Sequence, residues 1–213
     1  MQPKILYCAA TKFELDTVPP DENAECWITG VGIPQVFEHY AQIAQFSELN
    51  CIVNVGIAGA YPNSDAKIGD IVVGESEVYG DIGFELPEEP GFRSITESDF
   101  GTEYREPFLL KVPGSLSQLN LPHLVGRGCT VSTCTGTRKT GELREKLFAA
   151  HFETMEGAAV AQCANRLRVP MIEIRAISNI ASDRDMKPQN IRLALDNLGK
   201  FLSAWIEVEG DIF

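Results

Sequence analysis

Apolar positions fall into two rhythms along this chain. Continuous apolar runs of strand length occur at Lys4–Ala10 (KILYCAA), from Cys26 (CWITGVG), from Cys51 (CIVNVGIAGAY), from Ile68 (IGDIVVGESEVY), from Leu124 (LVGRGCT) and over Met171–Ile177. The segments between them change to helical spacing. Thr11 followed by Glu14 is a helix-start signal. Pro34 opens a second helix, with Val36, Phe37, Tyr40 and Ala44 on one side. GELREKLFAA from Gly141 is a third, and a fourth follows Glu156. Ile191, Leu195, Leu198, Leu202 and Trp205 line one face of a last helix. Continuously apolar strands alternating with helices predict an α/β fold, a central twisted, mostly parallel (mixed) sheet flanked by helices. No repeat or linker interrupts the pattern, so residues 1–213 read as a single domain. From Glu75 to Glu106 the chain is acidic and rich in Pro and Gly, which predicts a long loop too polar for the core.

Charge narrows the partners. With 18 Lys and Arg against 30 Asp and Glu, the net charge is −12. A nucleic-acid backbone or an anionic membrane needs clustered cations, so neither is expected as a partner. The first arginine in the chain is Arg93. None of the six cysteines forms a C-x-x-C pair, and the three histidines lack metal-ligand spacing. The expectation is reduced thiols, no metal and no cofactor. With no signal peptide and no apolar run near ~18 residues, the plain reading is a cytoplasmic enzyme.

The familiar motifs are missing or incomplete. GVGIPQ (Gly30–Gln35) lacks the third glycine of a dinucleotide-binding turn, and the next strand ends without the acidic residue a ribose would need. There is no G-x-S-x-G elbow and no G-x-x-x-x-G-K phosphate loop. GIAGAY instead suits a glycine turn, Gly56 to Gly59, where backbone closely approaches a ligand; a simple tight turn is the alternative. Glu14, Glu156 and Asn179 fall at strand ends or helix starts, where open α/β sheets place ligand sites. Each also has a local explanation: Glu14 completes a capping box with Thr11, Glu156 favours a positive helix N-terminus, and Asn179 initiates a turn. Together they suggest a metal-free site of carboxylates and an amide.

ETMEGAAVA (Glu153–Ala161) followed by VPMIEIRAISN (Val169–Asn179) resembles the nucleoside phosphorylase/nucleosidase superfamily. AATKFELD (Ala9–Asp16) is similar to the N-terminal loop of its hydrolytic branch, which includes methylthioadenosine nucleosidase. NVGIAGAY resembles its glycine turn under the ribose. VNVGIAGAYP, YGDIG and ISNIASDRD look most like the futalosine hydrolases within it, which remove hypoxanthine from futalosine on an alternative route to menaquinone. The resemblance implies a small nucleoside as substrate and a homodimer. It implies Glu14 as the carboxylate that activates water and Glu156 as the one that binds the ribose hydroxyls, with Met155 packed on the sugar. Gly56, Ile57, Ala58, Thr133, Thr135 and Ser178 complete the implied substrate contacts.

Asn179 stands where adenine-cleaving relatives have Asp. A 6-oxopurine leaving with N7 protonated offers one acceptor and one donor, and a carboxamide matches both. The base should therefore be hypoxanthine-like. An amide supplies no acidic proton, and Asp185 is a candidate source only through proximity in sequence. Arg93, Arg138 and Lys139 are candidate partners for the carboxylate of a 5′ extension. Phosphorolysis would need cationic groups near the first loops, and the first 92 residues hold no arginine. An adenine-directed nucleosidase and a non-catalytic nucleoside-binding protein remain as alternatives.

Overall fold

The apolar runs pair laterally into one eight-stranded mixed sheet in the computed structural model. It describes residues 5–22, 24–44, 49–99, 107–183 and 185–209; Lys4 of the first predicted strand and residues 100–106 of the predicted loop lie outside these. The strands are β1 (Ile5–Ala9), β2 (Ala24–Ile28), β3 (Cys51–Ala60), β4 (Ile71–Tyr79), β7 (Phe108–Leu109), β8 (Leu124–Thr130), β9 (Phe152–Thr154) and β10 (Met171–Ile180). A separate hairpin joins β5 (Gly83–Glu85) to β6 (Phe92–Ser94). The helices are α1 (Lys12–Leu15), α2 (Ile33–Ile43), α3 (Arg138–Phe148), α4 (Gly157–Leu167) and α5 (Pro188–Glu209).

Strand order runs β2-β1-β3-β10-β4-β8-β9, and β9 returns to pair with the end of β3. The sheet therefore curls until it closes on itself. Most pairings are parallel; β10–β4, β3–β9 and β4–β7 are antiparallel. α5 packs Ala194, Leu198, Phe201, Leu202 and Trp205 against β1, β3 and β10 on one side. On the other, Val36 and Ile43 of α2 and the small residues Ala158 to Ala164 of α4 form a second core.

Three local expectations change. The Gly56–Gly59 stretch is not a turn: it is the second half of β3, held between β10 and β9. Residues 76–79, where the expected strand and the expected loop overlap, are buried strand, because β4 pairs with β8 throughout and with β7 at Ser76 and Glu77, and Glu77 finds hydroxyl partners. α2 buries Val36 and Ile43, while Phe37 and Ala44 face outward, because the helix meets its neighbours along a narrow stripe. Among the described residues, no helix is long and apolar enough to cross a membrane.

Candidate active site

α1 is only four residues long, and its capping box sets what Glu14 can do. Glu14 Oε2 accepts from Thr11 N at 3.0 Å and from Thr11 Oγ1 at 2.7 Å. Glu14 Oε1 faces the other way and accepts from Ile57 N at 2.9 Å. A carboxylate has about four lone-pair positions, so one remains on Oε1. The local cap thus uses one oxygen of the side chain and leaves a position open on the other.

Glycine at position 56 makes this possible. A Cβ there would lie 2.5 Å from both Glu14 Oε1 and Arg175 Nη1. β3 pairs with β10 so that Gly56 stands opposite Arg175, which brings the guanidinium and the carboxylate over the same bare backbone. Gly56→Ala should displace both groups. The expected outcome is a stability loss of about 1–3 kcal/mol from overpacking, with turnover per folded molecule falling at least ~10-fold as the groups leave their productive geometry. Melting temperature and turnover on one preparation check it.

Glu156 is the N-cap of α4, but its side chain does not cap that helix. It reaches to the turn before α2, where Gly32 N donates to Oε1 at 2.8 Å. Gly30 (φ 79°) and Gly32 (φ 90°) shape that turn, in backbone conformations that favour glycine. Burial pushes the Glu156 carboxyl above its ordinary range, and the Arg175 charge and the Gly32 N–H oppose that shift. Burial likewise works against the Arg175 charge. The carboxylates of Glu173, Glu156 and Glu14 outweigh it and hold the guanidinium above its ordinary value. Glu14, Gly56, Ile57, Arg175 and Glu156 therefore form one electrostatic unit.

Asn179 lies further along β10, opposite Gly59, just after a register shift between Ile177 and Asn179. A bulge of this kind re-aims the side chains that follow it. Ser178 Oγ donates to Asn179 Oδ1 at 3.0 Å, and Asn179 Nδ2 donates to Ile180 O at 3.2 Å. The carboxamide orientation is thereby set, leaving one acceptor position and one N–H.

The remaining expected residues divide. Ile57 and Met155 are half-buried, and Gly56 and Ala58 are buried in β3. Thr135 is buried, its N and Oγ1 donating to Glu153 at 2.7 and 2.5 Å, with Arg144 Nη1 on its hydroxyl at 2.8 Å. Thr133 is exposed; its carbonyl accepts from Arg144 at 3.0 Å. Arg144, Glu153 and Asp81, which accepts from Ser132 N at 2.6 Å, hold this loop. Arg93 stacks over Phe84, Arg138 pairs with Glu142, and Lys139 is exposed. Asp185 is exposed and paired with Lys187. Sequence reasoning missed Arg175. The signal was there: Glu173 and Arg175, two apart in an otherwise apolar strand, point to one face.

The model of the phosphorylase superfamily matches residues 25–207. The chain belongs to that superfamily. Among its relatives is a futalosine hydrolase of Streptomyces coelicolor, 34% identical over 72% of this chain and 67% of its own. A 5′-methylthioadenosine nucleosidase of Arabidopsis thaliana is 28% identical over 84% of this chain and 62% of its own. In fold, the native futalosine hydrolase of Helicobacter pylori superposes with a TM-score of 0.77 at 16% identity, covering 97% of this chain and 98% of the other. Like these superfamily members, the chain is an enzyme of the N-glycosyl hydrolase class.

Proposed function

We propose that the enzyme hydrolyses the N-glycosidic bond of futalosine, releasing hypoxanthine, and serves the futalosine route to menaquinone. The observation that carries hydrolysis is where Glu14 sits. Thr11 N, Thr11 Oγ1 and Ile57 N all donate to its carboxylate, with the Arg175 guanidinium beside it. These are the donors that would cradle a phosphate, and the protein's own anion fills them. A phosphate entering here would meet Glu14 and Glu156 instead of free N–H groups.

With phosphate excluded, water is the nucleophile. The open lone pair on Glu14 Oε1 accepts its proton as general base. Glu156, anchored by Gly32 N, accepts from the vicinal ribose hydroxyls and stabilises the oxocarbenium-like sugar by its charge. Met155 packs on the sugar. Asn179 offers one donor and one acceptor to the leaving base, which favours O6 and protonated N7 of hypoxanthine. The proton for N7 comes from water or a neighbouring group other than Asp185, which is exposed and paired with Lys187. The relationship to methylthioadenosine nucleosidases supports a second reading, an adenine-directed nucleosidase, against which Asn179 argues. A homodimer belongs to the first reading: Phe13, 77% exposed beside Glu14, and Val31, 54% exposed in the Gly30–Gly32 turn, would be covered by a second copy.

Futalosine incubated in phosphate-free buffer should lose hypoxanthine and leave a free sugar hydroxyl. Adding phosphate should change neither rate nor product. A requirement for phosphate, or a sugar phosphate as product, refutes hydrolysis. Release of adenine from methylthioadenosine in place of hypoxanthine from futalosine favours the second reading.

A further inference from the structure

Behind Arg175 lie two acidic groups that the reaction itself does not touch. Glu173 of β10 and Glu77 of β4 are fully buried, and their carboxyls converge at Gly157, the first residue of α4. A Cβ at Gly157 would collide with Oε1 of both. Glu173 Oε1 accepts from Arg175 Nε at 2.9 Å and from Asn54 Nδ2 at 3.2 Å, with Arg175 Nη2 also at 2.9 Å. Glu77 accepts from Thr130 Oγ1 at 2.9 Å and from Thr154 Oγ1 at 3.2 Å. Those hydroxyls in turn accept from the first N–H groups of α4, Ala158 N at 2.7 Å and Gly157 N at 3.2 Å. The pair is thus built into the helix start that carries Glu156.

Four carboxyl groups, Glu14, Glu156, Glu173 and Glu77, lie around one guanidinium. Facing Glu77 are Glu173 and Arg175 from β10, Cys129 and Thr130 from β8, and Thr154 from β9. Two buried carboxyls in contact do not both ionise, and two bare carboxylates cannot hydrogen-bond. Burial pushes Glu77 well above the ordinary carboxylate range, with the neighbouring Glu173 as the second cause. Glu77 is therefore the member pushed toward its protonated form, while Glu173 is ion-paired to Arg175. Glu173 Oε2, buried and without another hydrogen-bond donor, is an acceptor left for that proton.

We propose that Glu173, backed by Glu77, is a positioning residue for hydrolysis: it draws Arg175 back from Glu14, so the last lone pair on Glu14 Oε1 stays open to water. Nε donates to Glu173 Oε1, and Nη2 lies within ion-pair distance of the same oxygen without a hydrogen bond. Nη1 alone reaches Gly56, and Glu173 is the carboxylate within ion-pair distance. Without that anion the guanidinium would close on Glu14 Oε1 and take the position water needs. The inference rests on the proposed role of Glu14, and its test separates the two.

The test compares the wild type with Glu77→Gln and with the double variant Glu77→Gln, Glu173→Gln, whose two amides keep the shape of the pair but remove its anion. On futalosine, the double variant should lose at least ~10-fold in kcat as the general base loses its water, with KM changed less than ~3-fold. Arg175, no longer balanced by Glu173, would also weigh more strongly on Glu156, so an acid limb that reports the Glu156 carboxyl should move down by about one pH unit. A lower melting temperature with kcat per folded molecule and acid limb unmoved would mean a structural role only, and overturns the proposal. If the wild type does not cleave futalosine, the functional reading fails, and a second measurement without substrate still decides the pair. Because the folded-state pKa of Glu77 is raised, its contribution to stability is full below its ordinary 4.5 and is lost as pH climbs toward the folded value. Glu77→Gln needs no proton, so its melting temperature should gain on the wild type as pH rises from 4.5 toward the folded value. A difference that stays constant over that range overturns the shared proton.

Discussion

Glu14→Gln should lower turnover by at least ~10²-fold, as loss of a general base does, in a protein that still folds. The carboxylate accepts from Thr11 N and Oγ1 through one oxygen and from Ile57 N through the other. An amide has only one oxygen. If that oxygen keeps Ile57, the NH₂ group meets the Thr11 N–H; if it keeps Thr11, the NH₂ group meets the Ile57 N–H. Either way a donor faces a donor, and about 1 kcal/mol of capping is lost. Nothing is left to take a proton from water. Were Glu14 only a cap, the same small stability loss would come with near-normal activity per folded molecule. Melting temperature and kcat measured on one preparation tell these apart.

Asn179→Asp should shift base preference by at least ~10-fold, measured as the ratio of catalytic efficiencies on futalosine and aminodeoxyfutalosine. The carboxylate sets an acceptor against O6 of hypoxanthine, while a 6-amino purine gives it a donor. A buried hydrogen bond left unmade costs about 1–3 kcal/mol, which is enough for that ratio. The substitution also sets an acceptor against Ile180 O, which now receives the amide N–H at 3.2 Å. That penalty belongs to the protein and is common to both substrates, so it cancels in the ratio though not in either rate. An equal fall on both would make Asn179 a strand-end residue with no part in choosing the base.

Sequence alone determined the fold class and most of the elements, because strand and helix periodicities are local and α4, the first half of β3 and most of β10 carry them. It also marked Glu14, Glu156 and Asn179, since polar residues at the ends of apolar runs stand out. Tertiary pairing decided the rest. Arg175 and Gly56 are more than a hundred residues apart, and only the β3–β10 register sets them side by side. The absence of early arginines spoke against phosphate for an incomplete reason: a guanidinium does reach the site, from the far end of the chain, but Glu173 and Glu14 already occupy its surroundings. Residues 76–79 fit both the apolar run from Ile68 and the acidic stretch from Glu75, so the sequence did not fix where β4 ends. Burial of Glu77 needs the hydroxyls of Thr130 and Thr154 and a carboxyl partner on β10, all distant in sequence. The composition of a segment cannot show whether its charge is solvated by water or by a protein cage, because that depends on which strands close around it.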